Sequence, residues 1–503
     1  MNNNNSALYS IRFDIGSQHD VQGEFSLPDY MPEVRQIISC RGNVLPENIF
    51  IDQSELVLSG IVMYTVLYVG DDDKLTSTDL SSEYTAKLNC NNSDLTGLSA
   101  ESIPYITQLM SCTCRATGPR RLSLSARMFT KAISAVQGKH TEIITDKYDS
   151  TEITRHSVDD LALERHILEV DSADVTRHSV SGNISGNFRE KSDSKIISCC
   201  TSAGVTDIRQ DNRNVKVSGS VYLSCLFMNS EGKYYSVKER CPFESIVSVA
   251  NTIQRSKGDV SATVRCAGMN IIGDESGEYK WELEYDLDIL TDVPYTSNLT
   301  DDIYSTAFET ACSREDISRL VCLKNGNSRL SLNSSRVLNG SSEKSVCNST
   351  GKAVIDRVEY TSDGKLTVNG SCTVQTIIEC DGVLKSEDVT IPVKFESTGK
   401  TADGVCHALC SIDVMNTDSK IDGNKLTVDA EVCISFLAYA VNKTKCIESC
   451  SVDTAVPIDH GKSLVNVYFP DENETLWDIG KKYHCKAEKI EVLGNNMPVI
   501  INL

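Results

Sequence analysis

Apolar and polar residues alternate along most of this 503-residue chain. The run Ile61 to Val69 reads IVMYTVLYV, and Val215, Val217, Val221 and Leu223 alternate with polar neighbours, as do Leu366, Val368, Cys372 and Val374. Residues two apart share a face of a β-strand, so this period predicts sheets with one face buried and one wet. Each run ends in a polar turn: Gly70 to Asp73, Asn229 to Gly232, and Cys380-Asp381-Gly382. A return strand follows each turn, which predicts three β-hairpins. Helical signals are few and fall at Pro32 to Ile38 and Ser102 to Met110. The last forty residues break the pattern. An apolar strand at Leu464, Val465 and Val467 leads into Thr475-Leu476-Trp477, and Leu476, Ile479 and Tyr483 then mark one face of a helix. A second short helix with Ile490 and Leu493, then a strand from Val499 to Ile501, completes a strand–helix–helix–strand reading.

The alternating part repeats itself. Ile37-Ile38-Ser39-Cys40 returns as Ile196-Ile197-Ser198-Cys199, and Ser59-Gly60 returns as Ser218-Gly219 and, less closely, as Asn369-Gly370. The glycines are spaced by 159 and 151 residues. A second mark, TDKYDSTEI at 145–153 against DDIYSTAFE at 301–309, falls between copies. Self-similarity at this period means tandem domains, not a solenoid. The expected architecture is mainly β. Three tandem antiparallel, sandwich-like domains cover 1–144, 145–300 and 301–460, and a small βααβ domain covers 461–503.

Composition narrows the function. The net charge of −21 argues against nucleic-acid or anionic-membrane partners, which an acidic surface repels. The segment MNNNNSALYS has neither a basic stretch nor an apolar core, so no secretory leader is predicted there, and a cytoplasmic location is expected. The longest apolar run is far too short for a transmembrane segment. Twenty cysteines are then expected to be reduced, acting as small buried hydrophobes. Cys406, His407 and Cys410 invite a zinc reading, but paired two-residue knuckles are missing and no metal or cofactor is expected. There is no phosphate loop, no G-x-S-x-G and no H-E-x-x-H, so no catalytic residues are assigned and no enzyme is predicted. His156, His166 and His178 have no ligand spacing. Arg120 and Arg121 could pair with a partner's carboxylates or simply within the chain.

Two phrases carry a resemblance. Leu27-Pro28-Asp29-Tyr30-Met31-Pro32-Glu33-Val34, followed by Arg35-Gln36-Ile37, resembles the SPOCS domain of endospore-forming Clostridia, as does the later Gly118-Pro119-Arg120-Arg121-Leu122. The TLWDI entry of the last forty residues resembles the LysM domain. Three SPOCS-like units before a LysM-like tail are similar to the SipL-type family of clostridial spore-coat morphogenetic proteins. The resemblance implies a scaffold in the mother cell, at the forespore surface, that tethers the spore coat by binding a SpoIVA-like morphogenetic ATPase of its basal layer. Only the first unit keeps both phrases, which makes Pro28, Asp29, Tyr30, Arg120 and Arg121 its partner-binding candidates.

LysM domains bind N-acetylglucosamine polymers such as peptidoglycan, and some bind proteins. The loops that would do so map to Asn473, Glu474 and Thr475, with Trp477 beside them, and to Gly494, Asn495, Asn496 and Met497. Both loops depart from the usual pattern: Asn473-Glu474 replaces the common Gly-Asp, and Pro470 is expected inside the first strand. Protein binding by the tail is therefore favoured over peptidoglycan binding, which stays the alternative.

Overall fold

The computed structural model describes residues 7–90, 99–139, 142–146, 161–190, 194–211, 214–248, 259–273, 277–340, 343–402, 404–460, 465–471, 473–493 and 498–502. The protein is mainly β, in several small sheets. One six-strand grammar is used three times. The first set comprises β1 (Ala7–Ser26), β2 (Val34–Asp52), β3 (Glu55–Gly70), β4 (Leu75–Asn89), β5 (Tyr105–Gly118) and β6 (Arg121–Lys139). β2-β3-β4 form an antiparallel meander, and β6 lies between β1 and β5 in a second sheet. A short strand, β7 (Ile143–Asp146), follows.

The second set repeats this with β8 (Leu163–Arg189), the meander β9 (Lys195–Asp211), β10 (Asn214–Met228) and β11 (Tyr234–Ser248), then β12 (Val260–Gly273) and β13 (Glu278–Ser305). The third has β14 (Phe308–Val337), the meander β15 (Lys344–Tyr360), β16 (Lys365–Cys380) and β17 (Val383–Thr398), then β18 (Val405–Asp422) and β19 (Lys425–Pro457). In each set the alternating side chains of the two sheets face one another, and each pair of sheets has its own apolar core. All three hairpins expected from the polar turns are present. In the third, Asp381 and Gly382 both take positive φ, as a two-residue hairpin turn requires.

The repeated glycines have one physical cause. A Cβ on Gly60 would lie 2.1 Å from the Leu45 carbonyl oxygen. On Gly370 it would lie 2.2 Å from that of Val354, and on Gly219 2.6 Å from that of Gly204, with the Phe243 ring closer still at 2.3 Å. Each glycine sits on the central meander strand, opposite or beside a bulge in the neighbouring strand. The bulge pushes backbone into the space a side chain would need.

The three sets share further cores. One apolar cluster joins Ile38, Leu67 and Leu75 to Leu226 and to Cys347, Ile377 and Leu384. Leu67, Leu226 and Ile377 repeat the spacings of the glycines, so equivalent strand ends meet. A second cluster brings Ile133 of β6 and Leu437 of β19 together, with Leu290 of β13 packed against it. β7 pairs in parallel with Ser449–Val452 of β19, so a strand that follows the first set completes the sheet of the third. β13 runs unbroken through residue 300 and turns at Thr306-Ala307. The far ends of β8, β13, β14 and β19 form a small two-layered arm, packed through Val170, Leu299 and Cys446 and through Ile303, Ile447 and Cys450.

Two local expectations fail. The stretch expected to be helical at Pro32 to Ile38 enters strand β2, where Val34, Ile37 and Ile38 favour extended backbone and Ile38 is buried. At Ser102 to Met110 only Ala100–Ser102 form a 3-10 turn, and β5 begins at Tyr105. Among the described residues no helix is long and apolar enough to cross a membrane.

The last residues form β20 (Val465–Tyr468), α1 (Leu476–Tyr483), β21 (Ile490–Val492) and β22 (Val499–Asn502), with β22 between β20 and β21. Where a second helix was expected there is one 3-10 turn, Ala487–Lys489, followed by a strand. Three residues are too few for an α-helix to nucleate, and Ile490 gains more by pairing with Ile501 and burying its side chain. Pro470 lies beyond the end of β20, where its missing donor costs no ladder bond.

Candidate binding sites

The two phrases singled out in the first set fold together. Residues 27–33 link β1 to β2, and Gly118 to Arg121 make the turn between β5 and β6. Leu27 N donates to the Arg120 carbonyl at 2.8 Å and Val34 N to the Pro119 carbonyl at 2.7 Å. Arg120 Nη1 donates to the carbonyl oxygens of Pro28, Asp29 and Met31 at 3.0, 3.1 and 2.7 Å. Its Nε lies 3.5 Å from Glu33 Oε1. The guanidinium is therefore committed within the chain, with Nη1 shared among three convergent carbonyls and Nε turned to Glu33. Tyr68 OH donates to the Pro32 carbonyl, and Glu33 N to Asp71 Oδ1. The result is a braced loop with Tyr30 at its tip, 87 % exposed. Asp29 and Arg121 are exposed beside it. An open groove of about 600 Å³ runs alongside, lined by Glu33, Val34, Arg35, Asp71 and the backbone turn at 116–119. A braced loop that presents an aromatic ring suits recognition of another protein, because little ordering entropy is lost on binding.

The tail holds the second group of candidates. Thr475 caps α1: its hydroxyl accepts from Asp478 N at 3.2 Å, and the Asp478 carboxylate accepts from Thr475 N at 2.9 Å. The Thr475 hydroxyl also donates to Asp478 Oδ2 at 2.7 Å, and this bond, with that from Thr475 N, holds the Asp478 carboxyl below its ordinary range. Glu474 Oε2 accepts from Tyr468 OH at 2.8 Å, and Asn473 is exposed. Gly494, Asn495, Asn496 and Met497 lie outside the described residues.

Trp477 and Leu476 do not form the tail's core. That core is Ile479, Cys485, Ile490, Val499 and Ile501, and Leu476 is 41 % exposed. Trp477 points instead at the arm. Its ring meets Tyr304 edge-on at 4.8 Å and His166 at 5.2 Å, and its Nε1 donates to Asp302 Oδ2 at 2.9 Å. Lys481, one turn later, donates to both Asp302 oxygens at 2.7 and 2.8 Å, and Arg314 Nη2 donates to Oδ1 at 2.8 Å. Burial works to raise the Asp302 carboxyl, but the donors, Lys481 foremost, hold it below its usual value. Tyr304, fully buried, donates to the Cys485 carbonyl at 2.8 Å. A Cβ on Gly480 would meet the Tyr304 hydroxyl at 2.7 Å, so a glycine is required where helix and ring touch. The helix thus latches the tail to the ends of β13 and β14. The sequence marked Tyr304 as part of a junction phrase, and this contact is the junction's physical content.

A third constellation has no sequence signal, because its members come from opposite ends of the chain. Asp14 Oδ2 accepts from Tyr439 OH at 3.0 Å, from 425 residues away, and lies 2.5 Å from His407 Nδ1. Asp14 Oδ1 lies 3.0 Å from Lys131 Nζ. His407 stacks on the Tyr439 ring at 5.4 Å. Burial would raise the Asp14 carboxyl, yet the His407 hydrogen bond and the Lys131 charge hold it low; burial and the Asp14 charge push Tyr439 up. The cluster borders a groove of about 490 Å³ between the first and third sets, lined also by Tyr360, Arg357 and Cys406. His407 faces Asp14, so its neighbour Cys406 does not make a zinc site with it. Among the described residues no group of three or more His, Cys, Asp or Glu side chains could hold a metal. His166 lies 2.6 Å from Asp301, His178 lies 3.2 Å from Thr176, and His156 lies outside the described residues.

No protein-family model matches the chain, and neither a curated protein nor a solved structure matches it.

Proposed function

We propose that this chain is a non-catalytic scaffold of spore-envelope assembly, built from three SPOCS-like β units and a LysM-like tail. It acts in the mother cell at the forespore surface. There it tethers the basal layer of the coat by binding that layer's morphogenetic ATPase. The observation that carries this reading is the phrase LPDYMPEVRQI together with GPRRL: in this chain they build one braced loop that presents Tyr30. The tail is the second contact. With Trp477 turned onto Tyr304 and Asp302, the ring is unavailable as a platform for a sugar, which favours a protein ligand over peptidoglycan.

The test uses the full chain and the purified ATPase. Immobilised chain should retain the ATPase, and Tyr30→Ala and Asn473→Arg should each weaken retention while leaving the melting transition unchanged. Sedimentation with insoluble peptidoglycan, without retention of the ATPase, would replace this reading with that of a wall- or cortex-binding factor.

A further inference from the structure

Cys312 and Cys450 face each other across β14 and β19, directly paired in the antiparallel register. Their sulfurs are 3.0 Å apart and share a hydrogen bond. Cys450 is fully buried, packed with Ile303 and Ile447, while Cys312 alone among the twenty cysteines is exposed. We propose that these two thiols form an oxidation site, where hydrogen peroxide or a related hydroperoxide converts them into a disulfide that staples the arm beside the tail.

An exposed thiol with a resolving partner in contact is the arrangement that redox-responsive cysteines use. Directly opposed residues of an antiparallel pair have Cα atoms about 4.5–5.5 Å apart, inside the span a disulfide accepts, so the bond forms without moving either strand. Two other close groups lack the access. Cys40 and Cys112 lie 3.2 Å apart but are both half-buried between the two sheets of the first set, and Cys199, paired with buried Cys225, is itself only half-exposed, so neither pair has an exposed member to meet the oxidant. Charge distribution assigns the roles. The Cys450 hydrogen bond holds Cys312 below the ordinary thiol range, with Lys481 and Arg314 contributing, and Cys450 is pushed up in turn. Cys312 is therefore the attacking thiolate and Cys450 the resolving thiol.

The step balances. The Cys312 thiolate attacks one peroxide oxygen, the O–O bond breaks, and the departing hydroxide takes up a proton as water. The Cys450 sulfur then attacks the Cys312 sulfenic sulfur. The S–O bond breaks, the hydroxyl leaves with the Cys450 proton as a second water, and the S–S bond forms. Two thiols lose two electrons and one peroxide gains them. The bond would tie together the ends of β14 and β19, next to Asp302 and Lys481, where the tail is held.

The experiment treats the reduced full chain with graded hydrogen peroxide, alkylates remaining thiols, digests it and maps cysteine peptides by mass. The expected result is loss of Cys312 and Cys450 alkylation together, at the lowest effective dose, with a linked Cys312–Cys450 peptide. With Cys450→Ser, or Cys450→Ala should the serine disturb folding, Cys312 should stop at the sulfenic acid and be trapped by dimedone. With Cys312→Ser, Cys450 should stay alkylatable after unfolding. Oxidation of Cys40 or Cys112 before Cys312, a Cys312 bond to another chain, or Cys312 that stays alkylatable throughout the series would each overturn the proposal.

Discussion

Removing the Asp302 carboxylate should release the tail from the arm. In Asp302→Ala the Trp477 Nε1 loses its acceptor while still pressed against Tyr304, which costs roughly 1.5 kcal/mol. The Lys481 pair adds about 1 kcal/mol, a discounted value because that side chain is 43 % exposed. Arg314 and Lys481 would then face each other without a carboxylate between them. The total, about 2.5 kcal/mol, is an approximately 60-fold shift in the docking equilibrium. The chain has only two tryptophans, and Trp281 is 3 % exposed in the core of the second set. Emission followed through a urea titration therefore separates tail release, seen by Trp477, from unfolding of the body, seen by Trp281. For a small element with a slope near 1 kcal/mol per molar, the Trp477 transition should move down by about 2.5 M urea. The carboxyl is held below its reference value of 3.8, so its contribution is present above that pH and lost as pH falls through the lower folded value. Acidification below about pH 4 should loosen the tail of the wild type and leave the variant's transition in place. A Trp477 transition that moves by less than about 0.5 kcal/mol, or a cycle with Lys481→Ala that shows no coupling, would refute the latch.

Three further outcomes are expected. Gly370→Ala should lower stability by about 2–3 kcal/mol in chemical denaturation, because the new Cβ meets the Val354 carbonyl on a strand that cannot retreat; a loss under about 0.5 kcal/mol would remove the bulge argument. Arg120→Ala deletes three bonds to the loop's carbonyls, and chymotryptic cleavage after Tyr30 should accelerate, with Arg120→Lys in between. Asp14→Asn leaves Lys131 without its counter-charge and disturbs the hydrogen bond with His407, and should cost about 2–3 kcal/mol, measured as a drop in the melting transition; since the Asp14 carboxyl is also held low, the wild type should approach the variant's stability as pH falls below about 3.8.

What the sequence disclosed was whatever depends on neighbours in the chain. Alternation at period two and the polar turns gave β3–β4, β10–β11 and β16–β17, and the Ser-Gly and Asn-Gly marks located the central meander strands. Pro32 to Ile38 misled because a proline followed by charged residues resembles a helix start, while the β-branched residues behind it belong to a sheet whose partners come later. The tail's first helix was readable from Leu476, Ile479 and Tyr483; the second was wrongly expected, because Ile490 finds its partner, Ile501, only in the fold. Leu476 marked the apolar face of the tail's helix yet is exposed, since a local period says nothing about what covers that face. The Asp14, His407 and Tyr439 cluster was invisible for the same reason: contacts between distant segments leave no local period.

The shared cores set an order on synthesis. Ile38, Leu67 and Leu75 are finished off by Ile377 and Leu384, and Ile143–Asp146 pairs with Ser449–Val452. On a ribosome adding about 5–20 residues per second, roughly 15–60 s separate the emergence of β7 from that of its partner. Throughout that interval the nascent first sandwich presents an uncovered apolar edge. Holdase binding to stalled chains ending before residue 340, and its loss once residue 457 has emerged, is the cellular signature of a body that closes only at its end.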